Sequence, residues 1–235
     1  MLNGLFSEFD SIVVLDTETT GIRPRADEII ELAARRIVPD GNGFSAAEDM
    51  DDFIRLSPGR RIPDQIVKLT GITQQMLDEQ GVSKQEAGKR FSAMLSHGRT
   101  LVAAYNAQFD LCFLYFFLNA LCLADSLKGV RFLDAMTVYK DRRDYPHKLC
   151  NAVDAYSLRT QNTHRAIDDA AATLELLVAM EGERDDLDKY VNLFGYNPKY
   201  GVSGPRIRSV TYLPQSYQRT QPLYQQLPTC PDSEF

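Results

Sequence analysis

Residues 12–15 are Ile-Val-Val-Leu, and they pass directly into acids at alternate positions, Asp16 and Glu18, before Thr19, Thr20 and Gly21. A branched apolar run bounded by turn formers predicts a buried strand. Side chains two apart on a strand share a face, so Asp16 and Glu18 point the same way at its end and could hold one cation together. Residues 29–38 fit helix or strand by periodicity alone. The turn cluster Pro39-Asp40-Gly41-Asn42-Gly43 and the strand pattern resuming at residues 52–56 favour strands, so a three-stranded meander is expected.

Helical periods follow. Thr73 can cap a short helix through Leu77, and Ser83 with Glu86 forms a capping box before Ala87, Phe91, Met94 and Leu95, with Gly98 as the stop. Residues 100–105 read as a second buried strand ending at Asn106. The helix beyond it carries Cys112, Phe113, Phe116, Phe117 and Ala120 and is expected to be buried, with Asp110 near its first turn facing the same strand-end edge as Asp16. Residues 130–133 suggest one more strand, with Asp134 capping the helix of Met136 and Val138. Residues 149–158 read as a helix, and residues 163–180 open with His164, Asp168 and Asp169 and continue as an alanine-rich helix of high intrinsic propensity.

Composition narrows the class. A chain of 235 residues that is 44% hydrophobic can bury a sizeable core, and a net charge of −6 argues against binding long nucleic acid over the whole surface while leaving room for a local basic patch. Cys112, Cys122, Cys150 and Cys230 form no paired or zinc-ligand spacing, so free thiols in a reducing, cytoplasmic setting are expected. The apolar stretch 111–123 is too short for a bilayer and contains Asn119, and the amino terminus lacks the pattern of an export signal, so no membrane is expected.

Two acids at alternate strand positions are common on surfaces. Three motifs in order are another matter: Asp16-x-Glu18, then Asn106-Ala107-Gln108-Phe109-Asp110, then His164 followed five residues later by Asp169. Together they resemble the DEDDh family of 3′→5′ exonucleases, which includes the proofreading epsilon subunit of bacterial replicative DNA polymerase and the exonuclease region of the polymerase of low-GC Gram-positive bacteria. The resemblance runs from residue 11 to residue 180 and takes in Leu69-Thr70-Gly71-Ile72-Thr73. It implies an α/β ribonuclease H-like fold: a mixed central sheet whose first strands are the meander, flanked by helices on both faces.

The residue types suit that chemistry. Hydrolysing a phosphodiester requires positive charge on two anionic oxygens and an attacking water aimed in line with the departing oxygen, and carboxylates are the proper ligands for the hard cations Mg²⁺ or Mn²⁺ that supply both. The resemblance implies two divalent cations held by Asp16, Glu18, Asp110 and Asp169: Asp16 bridging both, Glu18 and Asp169 chiefly on the ion of the attacking water, Asp110 on the other. It implies His164 as general base, a role suited to a side chain that ordinarily titrates near neutrality. Asp168 falls one short of the family spacing and is expected to face solvent or support its neighbour. On the substrate side the resemblance implies Thr19 and Thr20 around the terminal nucleotide, Leu69 and Ile72 against terminal bases, and Asn106 and Phe109 of the second motif. Turn or core roles are equally open for these. Tyr105 stands where the family usually has histidine, so a polar contact near the second motif is expected to differ.

Residues 1–182 are thus expected to form the exonuclease domain and residues 183–235 an extension. Between Lys189 and Pro231 lie five basic residues, no acid, and six each of the chain's eleven tyrosines and eleven prolines, with a strand pattern at residues 207–213. Interleaved cations and aromatics could follow a single strand of nucleic acid, or the arm could pack on its own domain or a neighbouring subunit. The expected activity is removal of nucleoside 5′-monophosphates from a 3′ end, with single-stranded DNA favoured, in proofreading, repair or end trimming beside a polymerase or a replication or repair partner. An RNA-trimming nuclease of the same superfamily, and a nuclease-fold module docking on a polymerase or processing complex, are the alternatives.

Overall fold

The apolar run at residues 12–15 becomes the centre of the sheet. In the computed structural model, which describes residues 2–160, 163–216 and 221–227, the chain runs α1 (Asn3–Glu8), β1 (Ser11–Thr19), β2 (Ile29–Asp40), β3 (Gly43–Phe53), α2 (Asp64–Thr70), α3 (Gln74–Gln80) and α4 (Lys84–Met94). It continues through β4 (Thr100–Ala104), α5 (Ala107–Ala120), β5 (Arg131–Asp134), α6 (Ala135–Lys140), α7 (Leu149–Ala155), α8 (Ala166–Glu183), β6 (Leu193–Tyr196) and β7 (Thr211–Pro214). Five strands form one mixed sheet in the order β3-β2-β1-β4-β5. The meander β1-β2-β3 is antiparallel, and β4 and β5 add in parallel beyond β1. The sheet with helices on both faces is the α/β architecture expected.

Strand alternation divides β1 between two cores. Ile12 and Val14 pack with Leu101, Ala103, Leu176 and Leu177 on the face covered by α8. Val13 and Leu15 pack with Val102, Ala104, Leu111 and Leu114 on the face covered by α5. Residues 29–38, ambiguous by periodicity, are strand because both of their edges are paired, to β1 and to β3.

Local signals act at the helix starts. Of the capping box expected at Ser83 and Glu86, however, the serine half is the part that forms, and α4 ends at Met94, ahead of Gly98. The Thr73 and Ser83 hydroxyls accept from the backbone N–H of Met76 and Glu86. Asp134 does more than cap α6. One of its oxygens accepts from Met136 N and also from Ala107 N at 3.1 Å, so a single carboxylate ties down the starts of both α6 and α5. Its other oxygen accepts from Thr137 Oγ1 at 2.6 Å.

Several segments differ from expectation. The third strand of the meander is Gly43–Phe53 rather than residues 52–56, because the turn at residues 39–43 is tight and β3 pairs with β2 from its first residue. Helix α2 was not expected. α1 was not legible, because six residues give too little periodicity; Leu2, Leu5 and Phe9 of this region are nonetheless buried. The strand pattern at residues 207–213 yields only β7 from Thr211 onward, since Val210 N closes a turn on Ile207 O at 3.1 Å. The stretch after α8, set apart by its composition, packs into both cores: Leu187, Tyr190, Leu193 and Leu223 join the α8 side, and Phe194 and Val210 the α5 side. Cys112, Cys122 and Cys150 are free thiols; Cys230, Tyr217, Arg219 and the prolines at 228 and 231 lie outside the described residues. No helix among the described residues is long and apolar enough to cross a membrane.

Burying a large apolar side chain contributes about 1.5–3 kcal/mol, so the four residues Leu187, Tyr190, Leu193 and Phe194 together approach the whole net stability of an ordinary domain. A chain ended after Gly182 is therefore expected to lose cooperative unfolding, read by circular dichroism during urea titration. A sharp transition at the full-length midpoint would contradict this packing account.

Candidate active site

β1 ends in a register slip between Glu18 and Thr19, an irregularity just after its second acid beyond which Thr19 still pairs with Ile29. Asp16 and Glu18 lie on the α8 face, both half-buried. Thr17 between them points to the other face. There its hydroxyl and its backbone N–H both donate to one oxygen of Asp110, at 2.7 and 3.0 Å. Asp110 sits in the first turn of α5 and is 2% exposed. Asn106, the residue before that helix, adopts left-handed backbone, φ 65°, which swings the chain from β4 into α5 and sets Asp110 at the strand end.

Asp169 arrives from the opposite face, in the first turn of α8, also buried. One ligand atom from each of Glu18, His164 and Asp169 lies within 4.8 Å of the other two. Asp169 accepts from Thr163 N at 3.2 Å, while Asp168 turns aside to accept from Thr163 Oγ1 at 2.5 Å. His164 is exposed and held at φ 59°. Left-handed backbone is uncommon for any residue but glycine, and strain of this kind is retained where the surroundings impose it.

The start of α8 is fixed by a residue the motifs do not include. Glu31, fully buried on β2 and opposite Glu18 across the strand pair, accepts from Arg165 Nε and Nη2 through one oxygen, at 2.9 and 2.7 Å, and from Ala166 N through the other, at 2.9 Å. Arg165 also lies 4.9 Å over the Phe53 ring. This clamp sits between His164 and the helix of Asp169.

Crowding of like charge dominates the electrostatics. Burial, then the charges of Asp110 and Asp169, hold the Asp16 carboxyl well above the usual carboxylate range. Burial, then Asp169, Glu31 and Asp110, push Glu18 up to about 8 against the opposing pull of Arg165. Burial pushes Asp110 up to about 7, although the Thr17 hydrogen bonds act the other way. Of the expected ligands, Glu18 and Asp169 come within ligand reach of each other and of His164, while Asp16 and Asp110 lie outside that group but near enough for like charge to raise proton affinity across the cluster. Carboxylate oxygens crowded in this way suit divalent cations of the Mg²⁺ or Mn²⁺ kind.

Residues 13–177 match the RNase_T family of exonucleases. The chain belongs to this exonuclease family. Among curated proteins, the PolC-type DNA polymerase III of Thermotoga petrophila is 33% identical over 172 residues, 72% of this chain, and that of Clostridium perfringens is 34% identical over 183 residues, 75% of this chain. The exonuclease chain spans only 12% of the length of either relative. The fold matches exonuclease I from E. coli, solved in a zinc-bound complex with single-stranded DNA, with a TM-score of 0.68 and 19% identity over 77% of this chain and 42% of that one. Exonuclease I of Methylocaldum szegediense matches with a TM-score of 0.66 and 22% identity over the same shares. These neighbours fit the ribonuclease H-like architecture.

The other residues expected in this exonuclease site are spread around it. Thr19 and Thr20 are buried and commit their hydroxyls to the turn: Thr19 Oγ1 donates to Gly21 O at 2.6 Å, and Thr20 Oγ1 accepts from Glu28 N at 2.9 Å. Ile22, just beyond, is 82% exposed. Leu69 is 53% exposed, whereas Ile72 is fully buried in a small cluster with Ile30, Ile62 and Leu77. Phe109 packs on Phe113 with ring centroids 4.9 Å apart. Tyr105, in the place of the family's histidine, is buried and donates from its hydroxyl to His147 O at 2.9 Å, so it braces the core behind the second motif. Thr17, Glu31 and Arg165 escaped the sequence reading. Their one signal was position: a hydroxyl between two acids, an acid inside an apolar run, and a cation between His164 and Asp169.

Two measurements follow from these charges. Glu18 and Asp110 bind protons more tightly folded than unfolded, so the penalty of ionising them is absent below the unfolded pKa and grows as pH rises through about 7 to 8. In EDTA the melting temperature is expected to fall between about pH 5 and about pH 8, less steeply in Glu18→Gln and Asp110→Asn, and Mn²⁺ should restore it most at the higher pH. Slopes identical in wild type and both variants would contradict the assignment. Glu31→Ala leaves the buried Ala166 N without its partner and frees the part-exposed Arg165 to solvent, and an unsatisfied buried donor costs about 1–3 kcal/mol, read by urea unfolding.

Proposed function

We propose that this chain is a metal-dependent 3′→5′ exonuclease that releases nucleoside 5′-monophosphates from the 3′ end of single-stranded DNA, in proofreading, repair or end trimming. One observation carries the reading: Glu18 of the strand and Asp169 of α8 come within ligand reach of each other and of the exposed His164, with the charges of Asp16 and Asp110 close by. Asp16, Glu18, Asp110 and Asp169 are the residues to hold two divalent cations, Mg²⁺ or Mn²⁺. When bound, such ions neutralise the phosphate oxygens and make water a nucleophile near neutral pH.

The chain's own residues do the rest. His164, open to solvent and within reach of Glu18 and Asp169, takes the proton from the attacking water. Thr17 aims Asp110 at the strand end, and the Glu31–Arg165 clamp sets the start of α8 and with it Asp169. The turn closed by Thr19 and Thr20 presents backbone to the terminal nucleotide beside the acids. Leu69 offers an exposed apolar surface for a terminal base, Ile72 serves as core beneath the turn that follows it, and Asn106 and Phe109 hold the start of α5 in register. The names of the relatives favour DNA: the curated ones are DNA polymerases, and E. coli exonuclease I was solved with single-stranded DNA. They also favour a polymerase or a replication or repair assembly as partner.

The test is digestion of a 5′-labelled oligonucleotide, DNA and RNA in parallel, with Mg²⁺, Mn²⁺ or EDTA. A ladder shortening from the 3′ end is expected with metal only, absent in Asp169→Ala, and slowed by about 10²–10⁴ in His164→Ala, which should still bind Mn²⁺. Intact substrate under every metal would overturn the reading, and unchanged turnover in His164→Ala would remove it as base.

A further inference from the structure

Away from the acids, a groove of about 940 Å³ runs along the outer side of α5. Five cations line it, Arg25, Lys128, Arg131, Arg206 and Arg208, and no acid does. All five are exposed. Among the described residues only Lys128 forms an ion pair, with the neighbouring and equally exposed Asp125. In a protein of net charge −6, such a concentration of uncompensated positive charge calls for an anionic occupant.

The groove is built in part by residues beyond the matched family region, 13–177, and is held to the same helical turn that carries Asp110. Gln108 Nε2 donates to Ser203 O and Pro205 O, each at 2.8 Å, and Gln108 Oε1 accepts from Tyr212 Oη at 2.6 Å. Tyr212 Oη in turn accepts from Ile207 N at 2.9 Å. Arg206 lies 5.1 Å over the Tyr212 ring, which pre-orients its guanidinium. The opposite wall begins at Arg25, in the turn that leaves Glu18, and Arg25 lies 5.1 Å over the Phe116 ring. Leu111, the next residue after Asp110, is part of the lining. The groove therefore runs beside the helix whose first turn carries Asp110, although none of the four acids lines the groove itself.

We infer that this groove holds the upstream part of the single strand whose 3′ end lies at the acids. The inference rests on the exonuclease reading and extends it to a substrate path that the tail completes. Cations meet phosphates, and Tyr115, 50% exposed on the same helix with Phe116 edge-on to it at 5.3 Å, offers a ring on which a base can stack. An acidic peptide would satisfy the charges but would need neither the exposed ring nor a groove beside the helix that carries Asp110.

The experiment measures anisotropy of labelled DNA and RNA single strands of about 4 and about 16 nucleotides on the full chain in EDTA, so that binding is read apart from turnover. Wild type is expected to gain affinity with length. Arg131→Glu and Arg208→Glu should lose that gain, and the slope of log affinity against log salt should flatten by about 0.7 for each phosphate contact removed. The double variant Arg131→Lys with Arg208→Lys should keep most of it, and Lys89→Glu, a reversal on an exposed face of α4, should match wild type. Retention of the length gain in both glutamate variants would overturn the inference, as would equal losses for both lengths. Binding of a poly-glutamate peptide that the same variants abolish, without any length gain for nucleic acid, would assign the groove to a protein partner instead. Failure of the exonuclease reading is seen separately, as uncut substrate when Mn²⁺ is added to wild type.

Discussion

Four carboxylates must be held together at the end of β1 although each repels the others, and most of the surrounding structure answers that constraint. Burial strips the acids of water and raises their proton affinity, so without restraint the strand end would swing outward to solvent. Thr17 prevents this on one face by giving Asp110 two hydrogen bonds. Glu31 prevents it on the other by fixing Arg165 and the first amide of α8. Asp110 and Asp169 each sit in the first turn of a long helix, where the unpaired amides and the positive end of the helix dipole favour negative charge and offset part of the repulsion.

The same economy links the site to the fold. Asp134 caps α6 and, through Ala107 N, also holds α5, so the orientation of Asp110 depends on a residue at the end of β5 two strands from the strand of Asp16. Tyr105 braces the strand before α5 through His147 O. Gln108 ties the first turn of α5 to the loop of Ser203 and Pro205. The beginning of α5 is thereby tied to the sheet, to a neighbouring helix and to the tail, which suits an element carrying an acid placed to within a hydrogen-bond length.

Much of this was legible because it is local. Strand alternation put Asp16 and Glu18 on one face, and capping residues marked the starts of α3, α4 and α6, whereas the preference for Asp169 over Asp168 came from the family resemblance alone. Thr17, Glu31 and Arg165 were not legible. Their partners lie 93 and 134 residues away in the chain, and no period or turn signal reports a contact at that range. Composition likewise singled out the tail without saying where it goes, because hydrophobic burial has no direction along the sequence.

What the sequence by itself determined is the set of chemical parts and the strands and helices that carry them, since periodicity, caps and turns are short-range effects of side-chain geometry. Only the tertiary structure decided which faces meet: that Asp110 and Asp169 approach β1 from opposite sides, that Ile72 is buried while Leu69 is open, and that residues 187–215 complete both cores and wall a basic groove. Those outcomes depend on how strands pair and how helices pack across the whole chain, where the contributions are non-local and no single residue carries the signal.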